Sequence, residues 1–214
     1  MVSYVQIMTN KLSALVVDGV ATLVFAAPVF AQSGSTSPAG STEAGVVLAV
    51  SGGGLSSAVD LNDAGTANFK TGFNVGGALG YQFNPNVEVR ATYAFGRSST
   101  AGTALPASIV AGTKLNRHYY GAELKLNAPV AGGITPYLLL GGGAVTFQPD
   151  TTPSQDSFTK AAGKAGVGVS YVIPSSNISV FVEGSGWAYG FDKYTFDKTQ
   201  FDLTWSGGFS IKFK

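Results

Sequence analysis

Phe69-Lys70-Thr71-Gly72-Phe73-Asn74-Val75-Gly76-Gly77-Ala78-Leu79-Gly80-Tyr81-Gln82-Phe83 alternates two kinds of side chain. The odd positions hold Phe69, Thr71, Phe73, Val75, Gly77, Leu79, Tyr81 and Phe83, and the even ones Lys70, Gly72, Asn74, Gly76, Ala78, Gly80 and Gln82. Period two is the period of a β-strand, whose successive side chains point to opposite faces. One face here is large and apolar, the other small or polar. Asn84-Pro85-Asn86 ends the run with turn chemistry, and Val87 to Arg97 restarts it with Val87, Val89, Ala91, Tyr93 and Phe95 opposite Glu88, Arg90, Thr92 and Gly96.

The same reading extends along the chain. Leu115 to Asn127 sets His118, Tyr120, Ala122, Leu124 and Leu126 against Arg117, Tyr119, Gly121, Glu123 and Lys125. Thr159 to Ile173 sets Ala161, Ala165, Val167, Val169 and Tyr171 against Lys160, Lys164, Gly166 and Ser170. The last run opposes Phe201, Leu203, Trp205, Phe209, Ile211 and Phe213 to Asp202, Thr204, Ser206, Ser210 and Lys212. Ile134 to Gln148 is apolar on both faces around Leu138-Leu139-Leu140, and Ile178 to Phe191 alternates less cleanly. With Val46 to Leu55 the sequence predicts eight strands. Short turns at Asn84–Asn86, Ala128–Gly133 and Pro174–Asn177 alternate with longer polar segments at Ser56–Asn68, Ser98–Lys114, Pro149–Phe158 and Asp192–Gln200. That asymmetry describes an antiparallel up-and-down meander closing into an all-β barrel.

Composition decides which face is outside. Of 214 residues only 12% are charged and 45% are hydrophobic, with 29 glycines. Glycine at that level argues against a helical bundle, and a net charge of +1 offers no basic excess for nucleic acid. With no cysteine there is no disulfide framework, thiolate metal site or cysteine nucleophile, and His118 is the single histidine. A soluble barrel, of the kind that binds small ligands in secretions, directs its bulky apolar side chains inward and coats its exterior with charge. The charges here are too few for that coat. Eight strands leave little interior room, so the small and polar face suits the inside and the bulky face is predicted to meet lipid. Phe69, Tyr81, Phe83, Tyr93, Phe95, Tyr171, Tyr189, Phe191, Phe201 and Phe213 fall near strand ends, as interfacial girdles do.

Leu12 to Phe30 is mostly apolar after a weakly basic lead and ends in Ala26-Ala27-Pro28-Val29-Phe30-Ala31. This predicts a signal peptide over 1–31, cut after Ala31. Asp18 within the run weakens the alternative of a retained anchor. Gln32 to Gly45 is rich in Ser, Thr, Gly and Pro and predicts a flexible periplasmic linker over 32–45, leaving 46–214 for the barrel.

The chain from Val46 onward resembles the small eight-stranded outer-membrane barrels of the OmpA/OmpX type. The carrying segments are Tyr120 to Leu126, Thr135 to Gly143, Gly166 to Tyr171 and Phe209 to Phe213. The resemblance implies a Gram-negative outer membrane, contact with its lipid and lipopolysaccharide, and a monomeric barrel. It also implies delivery to the barrel-assembly machinery by a C-terminal insertion signal, here Phe209, Ile211 and Phe213, with Lys214 after the terminal Phe as a departure. Loops of such barrels are available for adhesion or host contact.

Strand parity sends Lys70, Glu88, Arg90, Arg117, Glu123, Lys125, Lys160, Lys164, Glu183, Asp202 and Lys212 into the lumen. Counting from the short turns puts Arg90, Glu123, Lys164 and Glu183 at one depth, within a lumen charge network of Glu88, Arg90, Arg117, Glu123, Lys125, Lys164 and Glu183. Paired charges fill a narrow barrel as a structural plug; the resemblance also admits a partner-swapping gate for ions or small solutes. Some similar barrels modify lipid A with a His near the outer leaflet, but the expected His-x-Ser spacing meets Tyr120 after His118. Gly52-Gly53-Gly54 and Gly141-Gly142-Gly143 precede neither a helix nor Gly-Lys-Ser/Thr, so they do not read as phosphate loops. The sequence therefore predicts a non-catalytic barrel with no cofactor and no metal, structural or surface-exposed in role, with a narrow conduit as the alternative.

Overall fold

The computed structural model describes residues 44–58, 67–102, 112–150, 156–191 and 198–213. The predicted signal peptide and nearly all of the predicted linker lie outside them. The strands are β1 (Gly45–Ser57), β2 (Ala67–Phe69), β3 (Gly72–Asn84), β4 (Val87–Gly102), β5 (Lys114–Asn127), β6 (Ile134–Asp150), β7 (Phe158–Val172), β8 (Ile178–Phe191) and β9 (Lys198–Phe213). Each long strand pairs antiparallel with its chain neighbours, and β9 returns to pair with β1 from Val46↔Phe213 to Ser57↔Asp202. Eight long strands thus close on themselves, which removes the unpaired edges that an open sheet would expose. The short β2 lies against the far end of β4, with Phe69 opposite Thr100.

Local chemistry sets the turns. Asn84 Oδ1 accepts hydrogen bonds from the backbone N–H groups of Asn86 at 2.9 Å and Val87 at 3.0 Å, an Asx turn that reverses β3 into β4. Between β5 and β6 the chain passes through Gly132 and Gly133 at φ of 82° and 80°, a region open to glycine without steric cost.

Burial follows parity. Along β5 Leu115, Arg117, Tyr119, Glu123, Lys125 and Asn127 are buried, whereas Tyr120 and Leu126 face out. The outer wall exposes Leu48, Val50, Val75, Leu79, Val89, Leu140, Val167, Val182, Trp205 and Phe209 among others. Left in water, each such side chain forgoes roughly 1.5–3 kcal/mol of burial; in hydrocarbon that penalty vanishes. The 13 residues of β1, at about 3.3 Å each and a tilt near 45°, rise about 30 Å, the thickness of a bilayer core.

The structure corrects several expectations. The run from Phe69 to Phe83 is interrupted at Lys70 and Thr71, so Phe69 pairs with lumen-facing Thr100 and is buried rather than placed in a girdle. Lys70 is exposed between β2 and β3 instead of entering the lumen. Tyr189 lies on the lumen face of β8 and is also buried. Strands overrun the predicted loops: β4 continues to Gly102, β6 to Asp150, and β9 begins at Lys198. Ser and Thr fit loop composition there, yet on a ladder that continues above the hydrocarbon they serve equally as strand residues. The doubly apolar Ile134–Gln148 resolves into Leu138 and Leu140 on the outer wall and fully buried Leu139 within.

Candidate functional site

The lumen holds two separate charged groups. In the middle, Arg90 Nη2 pairs with Glu123 Oε1 and lies 3.4 Å from Glu183 Oε2. Lys164 Nζ lies 2.7 Å from Glu123 Oε2 and 3.7 Å from Glu183 Oε1. Each acid therefore touches both bases. Arg90 and Glu123 are directly opposite on β4 and β5. Lys164 is one strand further away, and the row Glu123↔Gly141↔Lys164 shows how it reaches. Gly141 presents no side chain; a Cβ there would stand 2.7 Å from Glu123 Cβ and block the approach. A second row, Tyr137↔Gly168↔Glu183, repeats the device. Across Gly168 the Tyr137 hydroxyl donates to Glu183 Oε2 at 3.2 Å. Toward the turns Lys125 Nζ sits 3.6 Å from Glu88 Oε2 and 4.3 Å above the Tyr137 ring. Buried ions need this density of partners, because desolvation of each costs several kcal/mol.

Arg117 does not join that group. It stands nearer the loops, where Asp202 collects four donors. Oδ1 accepts from Ser57 Oγ at 2.6 Å and Arg117 Nη1 at 2.7 Å; Oδ2 accepts from the hydroxyls of Tyr119 at 2.6 Å and Tyr189 at 2.8 Å. Four donors match the acceptor capacity of a carboxylate. The Arg117 guanidinium also lies 4.3 Å from the Phe69 ring centroid and 5.9 Å from that of Phe147, a favourable placement of cation on ring face. Leu55, Leu115, Val145, Phe147 and Trp187 pack around it in one buried cluster. Parity places Asp202 in the lumen but does not join it to the network. Depth counted from the loop ends rather than the turns is the signal that pairs it with Arg117.

On the outer wall His118 Nδ1 lies 2.8 Å from the Tyr93 hydroxyl and Nε2 3.2 Å from Gln148 Oε1, with the ring against Phe95 at 5.4 Å. Its hydrogen-bond partners are neither acid nor serine. Phe209, Ile211 and Phe213 line the outer face of β9 opposite Val50, Leu48 and Val46 of β1, at the seam that closes the barrel. Both glycine triplets lie inside strands. Among the described residues no three His, Asp or Glu side chains converge as metal ligands.

A closed antiparallel barrel with a lipid-compatible wall and a charge-paired lumen defines a transmembrane β-barrel. The sequence matches the outer membrane protein beta-barrel domain over residues 20–213, and the chain belongs to that family. It is a protein of the bacterial outer membrane. Among solved structures it is similar to Neisserial surface protein A, with 18% identity and a TM-score of 0.57, covering 80% of this chain and 99% of that one. It is also similar to the N-terminal barrel of Pseudomonas aeruginosa OprF, with 15% identity and a TM-score of 0.46 over 79% and 100% of the two chains. The attachment invasion locus protein Ail of Yersinia pestis, solved with the heparin analogue sucrose octasulfate, gives 17% and 0.45 over 79% and 97%. No curated protein sequence matches.

Proposed function

We propose that this barrel is a non-catalytic surface protein of the envelope, with its termini and short turns in the periplasm and its long loops outside, available for adhesion or host contact. The observation that carries this reading is the obstructed lumen, with its charges paired in the middle and Asp202 fully bonded above them. The wall embeds in outer-membrane lipid and lipopolysaccharide, and the protein works as a monomer. Phe209, Ile211 and Phe213 serve as the segment that the barrel-assembly machinery engages during insertion. The test is current through planar bilayers containing the full chain. Silence, together with greater detergent sensitivity of cells lacking the protein, supports the reading; discrete conductance steps in the unmodified protein overturn it.

One observation favours a narrow conduit instead: Glu123 and Glu183 each contact both Arg90 and Lys164, so partners can exchange without leaving a charge bare. Absence of current in the wild type and in Glu123→Ala removes that reading. For a lipid A-modifying activity, His118→Ala is the test, and an unchanged lipid A mass spectrum removes it.

A further inference from the structure

We propose that the lumen is single-ended. The Arg117–Asp202 cluster is its seal on the loop side, and the charged middle is a hydrated chamber reached from the turn side. A cavity of about 60 Å³ borders the middle charges, with Asn74, Arg90, Glu123, Lys164, Glu183 and Ser206 on its polar side. At about 10–15 Å³ for each water centre, it has room for roughly four to six waters. Ala49, Ala78, Ala94 and Phe181 make up much of the remaining wall, so it is the four charged groups that hold such waters, since a purely apolar cavity of similar size stays dry.

The two ends of the chamber differ. Toward the loops it meets the rings of Tyr119 and Trp187, whose centroids are 5.3 Å apart. Beyond them Leu55, Val145 and Phe147 have no solvent exposure, and the side chains of Arg117 and Asp202 are both at 0%. Packing this tight around a paired Arg117 and Asp202 leaves no solvent-accessible route to the loop side for a hydrated ion. Toward the turns Leu139 and Tyr137 are buried on one side of the lumen, but the side chains of Glu183 and Lys125 keep 10% and 11% exposure, and half-buried Ser179 and Ser210 continue a polar wall on the other. Exchange of partners among Arg90, Glu123, Lys164 and Glu183 thus rearranges the chamber and leaves the seal closed. Opening the seal requires separating Asp202 from four donors in dry surroundings.

Because the chain has no cysteine, Ser206→Cys supplies a unique thiol on the chamber wall. The full chain is inserted into lipid vesicles, its orientation read from protease cleavage of the long loops, and silver ion, small enough for the chamber, is added to one side at a time. Modification of the introduced thiol at least about tenfold faster from the turn side is expected. Equal rates, a faster reaction from the loop side, or no reaction from either side overturns the proposal. Adding Glu123→Gln is expected to preserve the side preference, and its loss there places the seal in the middle and also overturns the proposal. Adding Leu55→Gly, which thins the seal without touching an ion pair, is expected to bring the two rates together; a preserved preference counts against the seal. A current through the unmodified protein defeats the surface-barrel reading, whereas equal modification from both sides without current defeats this inference alone.

Discussion

Arg117 Nη1 lies 2.7 Å from Asp202 Oδ1, and neither side chain has any access to solvent. A pair so placed is weak evidence of net stabilisation, since well-packed apolar residues often replace it without loss. Removal of one partner is another matter. Asp202→Ala leaves the guanidinium charged and uncompensated and leaves the Tyr119 and Tyr189 hydroxyls without their acceptor. The expected cost is about 3–5 kcal/mol. The double variant Arg117→Met, Asp202→Leu is expected to recover the part that comes from the bare guanidinium and to keep the part that comes from the two unpaired hydroxyls. Urea unfolding of the barrel in lipid vesicles measures both, and equal losses in the two variants contradict the argument.

The glycines between paired charges carry the second prediction. Gly141→Val places a side chain between Glu123 and Lys164, and Gly168→Val places one where Tyr137 crosses to Glu183. Overpacking costs about 1–3 kcal/mol, and each variant also separates polar partners. Gly163→Ala is the control, because a Cβ on that outer-wall glycine meets nothing within 4 Å. Loss of the heat-modifiable gel shift at lower temperature in the first two variants, but not in the control, is the expected result.

These rows show how far the sequence can be read. Strand parity alone places Arg90, Glu123, Lys164 and Glu183 in the lumen, and counting from turns puts them at one depth, because antiparallel register propagates regularly from tight turns. It cannot say which glycine separates which pair, since that requires the order of three strands. Phe69 escapes parity for a different reason, while Tyr189 shares the lumen parity of Glu183 and is misplaced only by its position near a strand end. A two-residue interruption at Lys70 and Thr71 resets parity before β3, and an aromatic near a strand end looks the same whether it belongs to a girdle or to a plug. Asp202 falls on the right face, but its partner lies on a strand distant in sequence, 85 residues away.

Gln200 offers a gain in stability. Its side chain has no solvent exposure, and among the described residues neither Nε2 nor Oε1 has a hydrogen-bond partner. An unsatisfied buried amide costs about 1–3 kcal/mol. Gln200→Leu keeps similar volume and removes both polar atoms, so the urea midpoint is expected to rise with unchanged slope. A lower midpoint means that the amide is bonded in the folded protein.

Depth on the outer wall gives the last prediction. Leu140 projects outward from the middle of β6, and Gln148 projects outward near its loop end. If lipid covers the wall, an arginine must bring its charge into hydrocarbon at position 140 and only into the interfacial zone at position 148. The expected costs are about 2–4 kcal/mol for Leu140→Arg and about 0–1 kcal/mol for Gln148→Arg. A barrel dissolved in water gives no such gradient, because both side chains meet solvent and both substitutions are then nearly neutral. The two variants, unfolded in urea from the same vesicles, therefore measure where the bilayer sits on the strands. Equal small effects at both positions contradict a lipid-facing wall at Leu140.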